Sequence, residues 1–177
     1  MKNPISRLIK KTTRAFCMFL VNHIFNGARP VFFGLKRKIL RIAGFSIGEG
    51  TKIVGPLYVP AAATLIIGNE TWVGESLRVH GNGKVVIGSR CDLGPDVTFL
   101  TGGHKIGDSN RRAGEGETYH ITVGDGCWLG SGSIFMRNIS IGNSSVIAAR
   151  ACVTKSTDTN VLMGGVPAKV IRVLEKN

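Results

Sequence analysis

The first 45 residues contain no aspartate and no glutamate. They do contain ten basic side chains: Lys2, Arg7, Lys10, Lys11, Arg14, Arg29, Lys36, Arg37, Lys38 and Arg41. Residues 46–177 hold the other 13 lysines and arginines and all 11 acids, so the net charge of +12 splits into +10 and +2. A chain that is basic throughout is thereby excluded. Long apolar runs are missing as well: the longest spans residues 15–21, and a bilayer-crossing helix needs about 20 residues. Asn22 and His23 interrupt that run and no small-x-small cleavage site follows, so no secretory signal is expected. The four cysteines, Cys17, Cys91, Cys127 and Cys152, form neither a CxxC nor a zinc-like pair. With no export signal they read as reduced thiols of a cytoplasmic protein. Disorder is excluded in turn, because 43% of the residues are hydrophobic.

What the chain has in excess is glycine, 24 of 177 residues, roughly twice the usual ~7%. From residue 47 an aliphatic residue followed by a small one recurs: Ile47-Gly48, Ile67-Gly68, Val73-Gly74, Ile87-Gly88, Leu93-Gly94, Val123-Gly124, Leu129-Gly130, Ile141-Gly142 and Ile147-Ala148. Within each group the step is six residues, and four positions after most of these aliphatics stands a compact side chain, such as Thr71, Cys91, Cys127, Ser133 or Ser145. Neither a helical nor a two-residue period explains this rule. A six-residue unit makes one short strand and a corner, with the aliphatic and compact residues inward and glycine relieving crowding. Three units close a triangular coil of about 18 residues, and coils stack at the strand spacing of ~4.8 Å. The pattern predicts an all-β solenoid of about five coils, starting near Ile47, Ile67, Ile87, Val123 and Ile141. The two twenty-residue intervals predict bulges at Leu65 and Ile66 and at Val85 and Val86, and the 36-residue interval predicts an external loop near residues 102–120. Such an excursion from a regular solenoid marks the working face. Cys91 and Cys127 fall on the compact inward position and read as packing residues.

The hexapeptides, the segment LTGGH at 100–104, the segment CWLGSGS at 127–133 and the ending VTK…GGVPAKVIR at 153–172 resemble the hexapeptide-repeat acyltransferases with a left-handed parallel β-helix. They are most similar to the maltose/galactoside/nodulation-type O-acetyltransferases and to relatives that decorate bacterial surface polysaccharides. The left hand of the coil comes from this resemblance, since parallel crossovers are ordinarily right-handed. The resemblance implies a homotrimer with active sites between neighbouring prisms, acetyl-CoA as donor, and a histidine at the base of the looped-out segment as general base. The matching residue is His104. A sugar hydroxyl must lose its proton as it attacks a thioester, and neutral imidazole serves that step near physiological pH. The resemblance further assigns acyl-donor contacts to Trp128, Gly130, Ser131, Ala149, Thr154, Lys155, Lys169 and Arg172. An oxyanion donor is expected at the corner containing Trp128, Leu129, Gly130 and Ser131.

Four residues are assigned to the acceptor side. Asn82 stands where the maltose/galactoside branch has an acid, and Glu75 on the preceding coil is a candidate to replace that acid. His120 reads as an acceptor-site or loop-anchoring residue. His80 lies in a corner resembling the serine-acetyltransferase branch, whose histidine there serves as base, but one residue out of register. The function implied is O-acetylation of a saccharide, in lipopolysaccharide, capsule or exopolysaccharide biosynthesis. The alternative is N- or O-acetylation of a small substrate such as an amino-sugar nucleotide or serine. Zinc-dependent hydration on a similar fold needs a short-spaced histidine pair; His104 and His120 are sixteen apart, so no metal is expected. A non-catalytic scaffold is the remaining class.

Residues 1–45 read as a basic amphipathic helical segment, 46–160 as the β-helix and 161–177 as a C-terminal cap or tail. In a first helix Ile5, Leu8, Ile9, Phe16, Phe19 and Leu20 share one face, opposite Arg7, Lys10, Lys11 and Arg14. A second helix starts with Pro30 in its first turn, ends near Gly44, and sets Phe32, Leu35, Ile39 and Ile42 against Arg37, Lys38 and Arg41. These apolar faces are expected to cap the open first coil, and the cations to allow peripheral contact with an anionic membrane. Nucleic acid is not an expected partner, because no base-reading motif accompanies the charge.

Overall fold

The structure is a computed structural model that describes residues 4–175, with side chains from residue 8 onward. Lys2 and the side chains of Ile5 and Arg7 lie outside the described residues. From Ser46 the hexapeptides wind into a three-sided prism. The first coil holds β1 (Ser46–Ile47), β2 (Lys52–Ile53) and β3 (Leu57–Tyr58); the second holds β4 (Thr64–Ile67), β5 (Trp72–Val73) and β6 (Leu77–His80). The third comprises β7 (Lys84–Ile87), β8 (Asp92–Leu93) and β9 (Thr98–Leu100), after which β10 (Gly102–Ile106) and β11 (Ala113–Thr118) leave the prism as an antiparallel hairpin. The fourth has β12 (His120–Val123), β13 (Trp128–Leu129) and β14 (Ile134–Met136), and the fifth β15 (Ile139–Ile141), β16 (Val146–Ile147) and β17 (Cys152–Val153). A sixth level is begun on one side by β18 (Val161–Gly165), and β19 (Ala168–Val173) turns back antiparallel on it. The first side is the sheet β1-β4-β7-β12-β15, the second β2-β5-β8-β13-β16-β18-β19 and the third β3-β6-β9-β14-β17.

Stacking puts equivalent residues one above another. Ile47, Ile67, Ile87, Val123 and Ile141 form one buried column, Ile53, Val73, Leu93, Leu129 and Ile147 a second, and Val79, Phe99, Phe135 and Val153 a third. Phe99 and Phe135 stack with ring centroids 5.0 Å apart; full burial stabilises each by about 2–3 kcal/mol. The glycine after each aliphatic serves this stacking. A Cβ on Gly48 would overlap the Gly68 carbonyl one coil away, and one on Gly68 would overlap the backbone of Gly88. The left-handed turn conformation falls two residues later, on Glu70 (φ 55°), Arg90 (φ 54°) and Ser144 (φ 56°), among others. Each is held there by the ladder: Glu70 N–H donates to Glu49 O at 2.8 Å and Arg90 N–H to Asn69 O at 2.8 Å.

The compact column does more than fill space. Thr51 and Thr71 hydroxyls donate to the Gly68 and Gly88 carbonyls at 2.6 and 2.9 Å, and the Cys91 and Cys127 thiols to Gly124 and Gly142 at 3.1 and 3.2 Å. The cysteines are packing residues, as expected, but they also supply the donor that Thr supplies below. Contact with Cys127 and burial hold the Cys91 thiol above its ordinary range, so it stays protonated. The expected bulges are misplaced. Leu65, Ile66, Val85 and Val86 pair in unbroken register within β4 and β7. The two extra residues lengthen the corners ahead of them instead, around Ala61–Ala62 and Gly81–Gly83, because a corner can swell outward while a stacked strand cannot.

Ahead of the prism lie α1 (Pro4–Phe19), a π-turn (Leu20–Ile24) and α2 (Pro30–Ile42), with Gly44 in the left-handed conformation at φ 90°. Both helices are where the sequence predicts them, and they cover the first coil. The faces differ from expectation. On α2 the buried residues are Phe33, Lys36, Ile39 and Leu40, whereas Leu35 and Ile42 are exposed. On α1 Leu8, Ile9, Phe16 and Phe19 are exposed, and the helix docks through Cys17 and, in the turn beyond it, Val21. Arg14 lies over the Phe45 ring, 4.3 Å from its centroid, and donates to the carbonyls of Pro60, Ala61 and Ala63. Polar stems with satisfied heads thus outcompete part of the apolar stripe. Burial lowers the Arg14 pKa.

Lys36 is the sharpest case. It is fully buried, and its ammonium donates to Gly27 O at 2.6 Å, Ile53 O at 2.8 Å and Val54 O at 2.8 Å. Three donors meet three carbonyls. Burial pulls its pKa down to about 8, which leaves it charged at pH 7. Lys36→Met keeps the stem but orphans the three carbonyls, and is expected to lower unfolding free energy by about 3 kcal/mol in urea titration. The exposed Lys38→Met is expected to change it by less than about 0.5 kcal/mol.

Candidate active site

The chemistry-bearing residues gather at two different edges of the prism. The first edge joins the third side to the first, and carries His80, Asn82, the hairpin with His104, and His120 at the start of β12. The hairpin is pinned at its base by Thr101, which is fully buried. Thr101 N–H and Oγ1–H donate to His80 O at 2.7 and 2.8 Å, its Oγ1 accepts from Gly83 N–H at 3.1 Å, and its carbonyl accepts from Tyr119 N–H at 2.8 Å. Thr118 Oγ1 donates to Asn82 Oδ1 at 2.9 Å, tying the hairpin to the second coil. His120 N–H donates to Asn138 Oδ1 at 2.7 Å, so His120 belongs to the regular strand after the loop. The loop is therefore an ordered hairpin, braced across by an ion pair of Lys105 and Glu115 at 2.6 Å. The Tyr119 ring lies so close to Gly103 that any Cβ there would overlap it. Glu117 accepts the Tyr119 hydroxyl hydrogen bond at 3.0 Å and raises that phenol's pKa.

His104 pairs with Gly116 across the hairpin and is exposed. Its Nδ1 lies 2.8 Å from Gly114 O. A carbonyl cannot donate, so Nδ1 carries the proton, and in the neutral ring the lone pair is on Nε2. This is the tautomer a general base requires.

The second edge joins the second side to the third. Here Glu75, Gly130, Ser131 and Ala149 occupy equivalent corners of the second, fourth and fifth coils, and Trp128 stands outward on β13, 59% exposed. A groove of about 330 Å³ runs beside it, lined by Trp72, Glu75, Asp92 and Trp128 with Ala28, Val54 and Pro95. Trp128 and Gly130 donate their N–H groups to Ser145 O and Ile147 O at 2.9 and 2.7 Å, whereas Ser131 N–H makes no hydrogen bond among the described residues. Of that corner, Ser131 is the donor available to an oxyanion. Gly130 has a packing reason of its own, since a Cβ would overlap the backbone of Ala148 and Ala149. Thr154 and Lys155 sit at the first edge on the fifth coil, and Lys169 and Arg172 are exposed on β19 at the far end of the second side. Among the described residues no three His, Cys, Asp or Glu side chains gather as metal ligands.

Sequence reasoning missed Thr101, the Gly114 carbonyl, Trp72 and Asp92. The threonine preceding GGH was the visible signal for the first. For Trp72 it was the place it shares with Trp128, one residue after the compact position of its coil.

A three-sided parallel prism, with an excursion carrying a tautomer-fixed histidine and an aromatic groove on another edge, defines the class of hexapeptide-repeat acyltransferases. Comparison with known proteins agrees. The chain is 30% identical to the galactoside O-acetyltransferase of Escherichia coli (strain K12) over 148 residues, 84% of this chain and 73% of that protein. It is 28% identical over 149 residues to WcaF of the same organism, provisionally named a colanic acid biosynthesis acetyltransferase, across 84% and 80% of the two chains. A solved galactoside acetyltransferase in complex with coenzyme A superposes with a TM-score of 0.76 at 26% identity, covering 94% of this chain and 81% of that one. No protein-family profile matches. The chain belongs to the hexapeptide-repeat acetyltransferase family, with its left-handed β-helix, and is an acyltransferase.

Thr101→Val removes the hydroxyl that joins His80 O to Gly83 N–H while keeping the shape. Thermal unfolding is expected to show a loss of about 1–3 kcal/mol, and Thr101→Ser is expected to restore most of it. Equal melting of all three proteins would remove Thr101 from its place as the hairpin's pin.

Proposed function

We propose that the protein transfers an acetyl group from acetyl-CoA to a hydroxyl of a saccharide used in building a bacterial surface polysaccharide. The observation that carries this reading is the Nδ1–H of His104 fixed on Gly114 O, at the base of the one excursion from an otherwise regular solenoid. His104 Nε2 takes the acceptor proton as the hydroxyl oxygen attacks the thioester carbonyl. The new C–O bond forms, Ser131 N–H stabilises the oxyanion, and collapse breaks the C–S bond. The departing CoA thiolate then takes the proton from the imidazolium, so the base is regenerated. On this reading Lys155, Lys169 and Arg172 meet the donor's phosphates, and Trp128, Gly130, Ala149 and Thr154 its pantetheine arm and nucleotide. Glu75, Asn82, His80 and His120 are the acceptor-side candidates.

The separation of the two edges supports a homotrimer. Within one chain the histidine edge and the Ser131–Trp128 edge are divided by the whole third side of the prism. Proton transfer needs contact at about 3 Å, and on this reading one protomer's histidine serves its neighbour's groove. Support for a saccharide acceptor comes from the galactoside acetyltransferase relative and, for polysaccharide precursors, from WcaF. On this reading the enzyme works in the cytoplasm, at the membrane face where lipid-linked precursors lie.

The test is thiol release from acetyl-CoA against sugars, nucleotide sugars, lipid-linked oligosaccharides, serine and amino-sugar nucleotides. His104→Ala is expected to lower kcat by roughly 10²–10⁴ with stability unchanged, and His80→Ala by far less. The reverse order moves the base to His80, and turnover only with serine or amino-sugar nucleotides replaces the saccharide reading.

A further inference from the structure

An amphipathic helix on a globular protein ordinarily turns its apolar stripe inward. α1 does the opposite. Leu8, Phe16 and Phe19, with Thr12 between them, recur at spacings of three and four, and with Ile9 they form a stripe that is 51–63% exposed for the four apolar members. The inward side is held by Arg14 and Cys17. α2 adds Val31 (77% exposed) and Ile42 (67%). Ile9 and Ile42 line a common groove of about 710 Å³ between the helices and the corner at Ala61 and Ala62, together with Lys10, Lys11 and Arg14. Isolated surface apolar residues need no explanation, but a stripe on a well-docked helix does.

We propose that this face is a docking surface for an anionic phospholipid bilayer. Charge complementarity selects that occupant. The segment carries ten cations and no acid, and Lys10, Lys11, Arg29 and Lys38 are exposed and free of ion pairs among the described residues. A self-paired contact between two copies through this face would set like charges together without compensation. A bilayer instead offers phosphates to the lysines and acyl chains to Leu8, Ile9, Phe16 and Phe19. No helix among the described residues is long and apolar enough to cross a membrane, so the contact is interfacial. The inference stands independently of acetyl transfer, since it concerns helices that carry none of the residues assigned to the reaction.

The experiment is sedimentation of the full chain with vesicles of pure phosphatidylcholine and of phosphatidylcholine with 30% phosphatidylglycerol, a composition chosen on the order of bacterial anionic content. Wild type is expected to pellet with the anionic vesicles, not with the neutral ones, and less at high salt. Phe16→Gln/Phe19→Gln and Lys10→Gln/Lys11→Gln are each expected to weaken partitioning by roughly 10-fold or more. Sedimentation equilibrium without lipid and the melting temperature are read on the same proteins, and both are expected to be unchanged. Failure of wild type to bind anionic vesicles, or equal partitioning of wild type and both variants, overturns the proposal. A smaller oligomer in Phe16→Gln/Phe19→Gln overturns it too, by showing that a second copy covers the stripe.

Discussion

Everything in this protein follows from the requirement that each coil lie flat on the one before it. Strand spacing leaves ~4.8 Å between coils, so whatever stands at a position must tolerate its own equivalent directly above and below. Inward positions therefore become columns of aliphatics, and positions where backbones cross become glycine, as at Gly48 and Gly68. A compact donor, Thr or Cys, is set where its hydrogen can reach the next coil's carbonyl. A strand inside such a stack cannot absorb an insertion without shearing the ladder above it. Additional residues are pushed to the edges. The longer corners near residue 62 and residue 82, and the hairpin after Leu100, are three instances of the same response. The histidine proposed as general base sits on the largest of them, where the chain is freest of the stacking rule.

That requirement also explains what could be read in advance. A period that every coil must obey leaves its mark on every coil, so the coil starts, the columns and the origin of the hairpin were legible from spacing alone. His104 was legible through its neighbours in LTGGH, but the atom that fixes its tautomer was not. Gly114 O is ten residues away and is brought back by antiparallel pairing of two short strands whose register no periodicity announces. Thr101 was hidden for a similar reason: its four hydrogen bonds reach residues 80, 83 and 119. The helices show the opposite limit. Their periodicity was plain, but a period says which residues share a face and nothing about which face turns inward. Lys36 and Arg14 decided that, since long stems can be buried if their heads find carbonyls, and the open end of a β-helix has carbonyls to offer.

The cations therefore divide into two populations with different work. Lys36 and Arg14 satisfy backbone oxygens at the first coil, and Arg41 pairs with Glu49 at 2.8 Å while its Nε and Nη2 hold Ile47 O. These are structural substitutes for the coil that would otherwise lie beneath. Lys10, Lys11, Arg29 and Lys38 have no such partner among the described residues, and these are the ones free to act on something outside. Net charge alone merges the two populations, and only the hydrogen bonds separate them.

The two proposals, a catalytic cleft between protomers and a lipid-facing helical cap, reinforce one another through symmetry. A closed ring of three prisms related by one rotation axis sets all three protomers the same way up when that axis runs along the prisms. All three helical caps then lie at one end, and the cations of β19 at the other. One amphipathic helix with a few lysines binds a bilayer weakly and reversibly, but three on one rigid face bind at high effective concentration once the first has landed. The acceptor clefts would open along the sides of the assembly, above the membrane plane. A lipid-linked sugar could reach them without leaving its bilayer, while the donor approaches from the distal, cationic end. Trimerisation would thus complete the active site and supply the avidity that holds it beside its substrate.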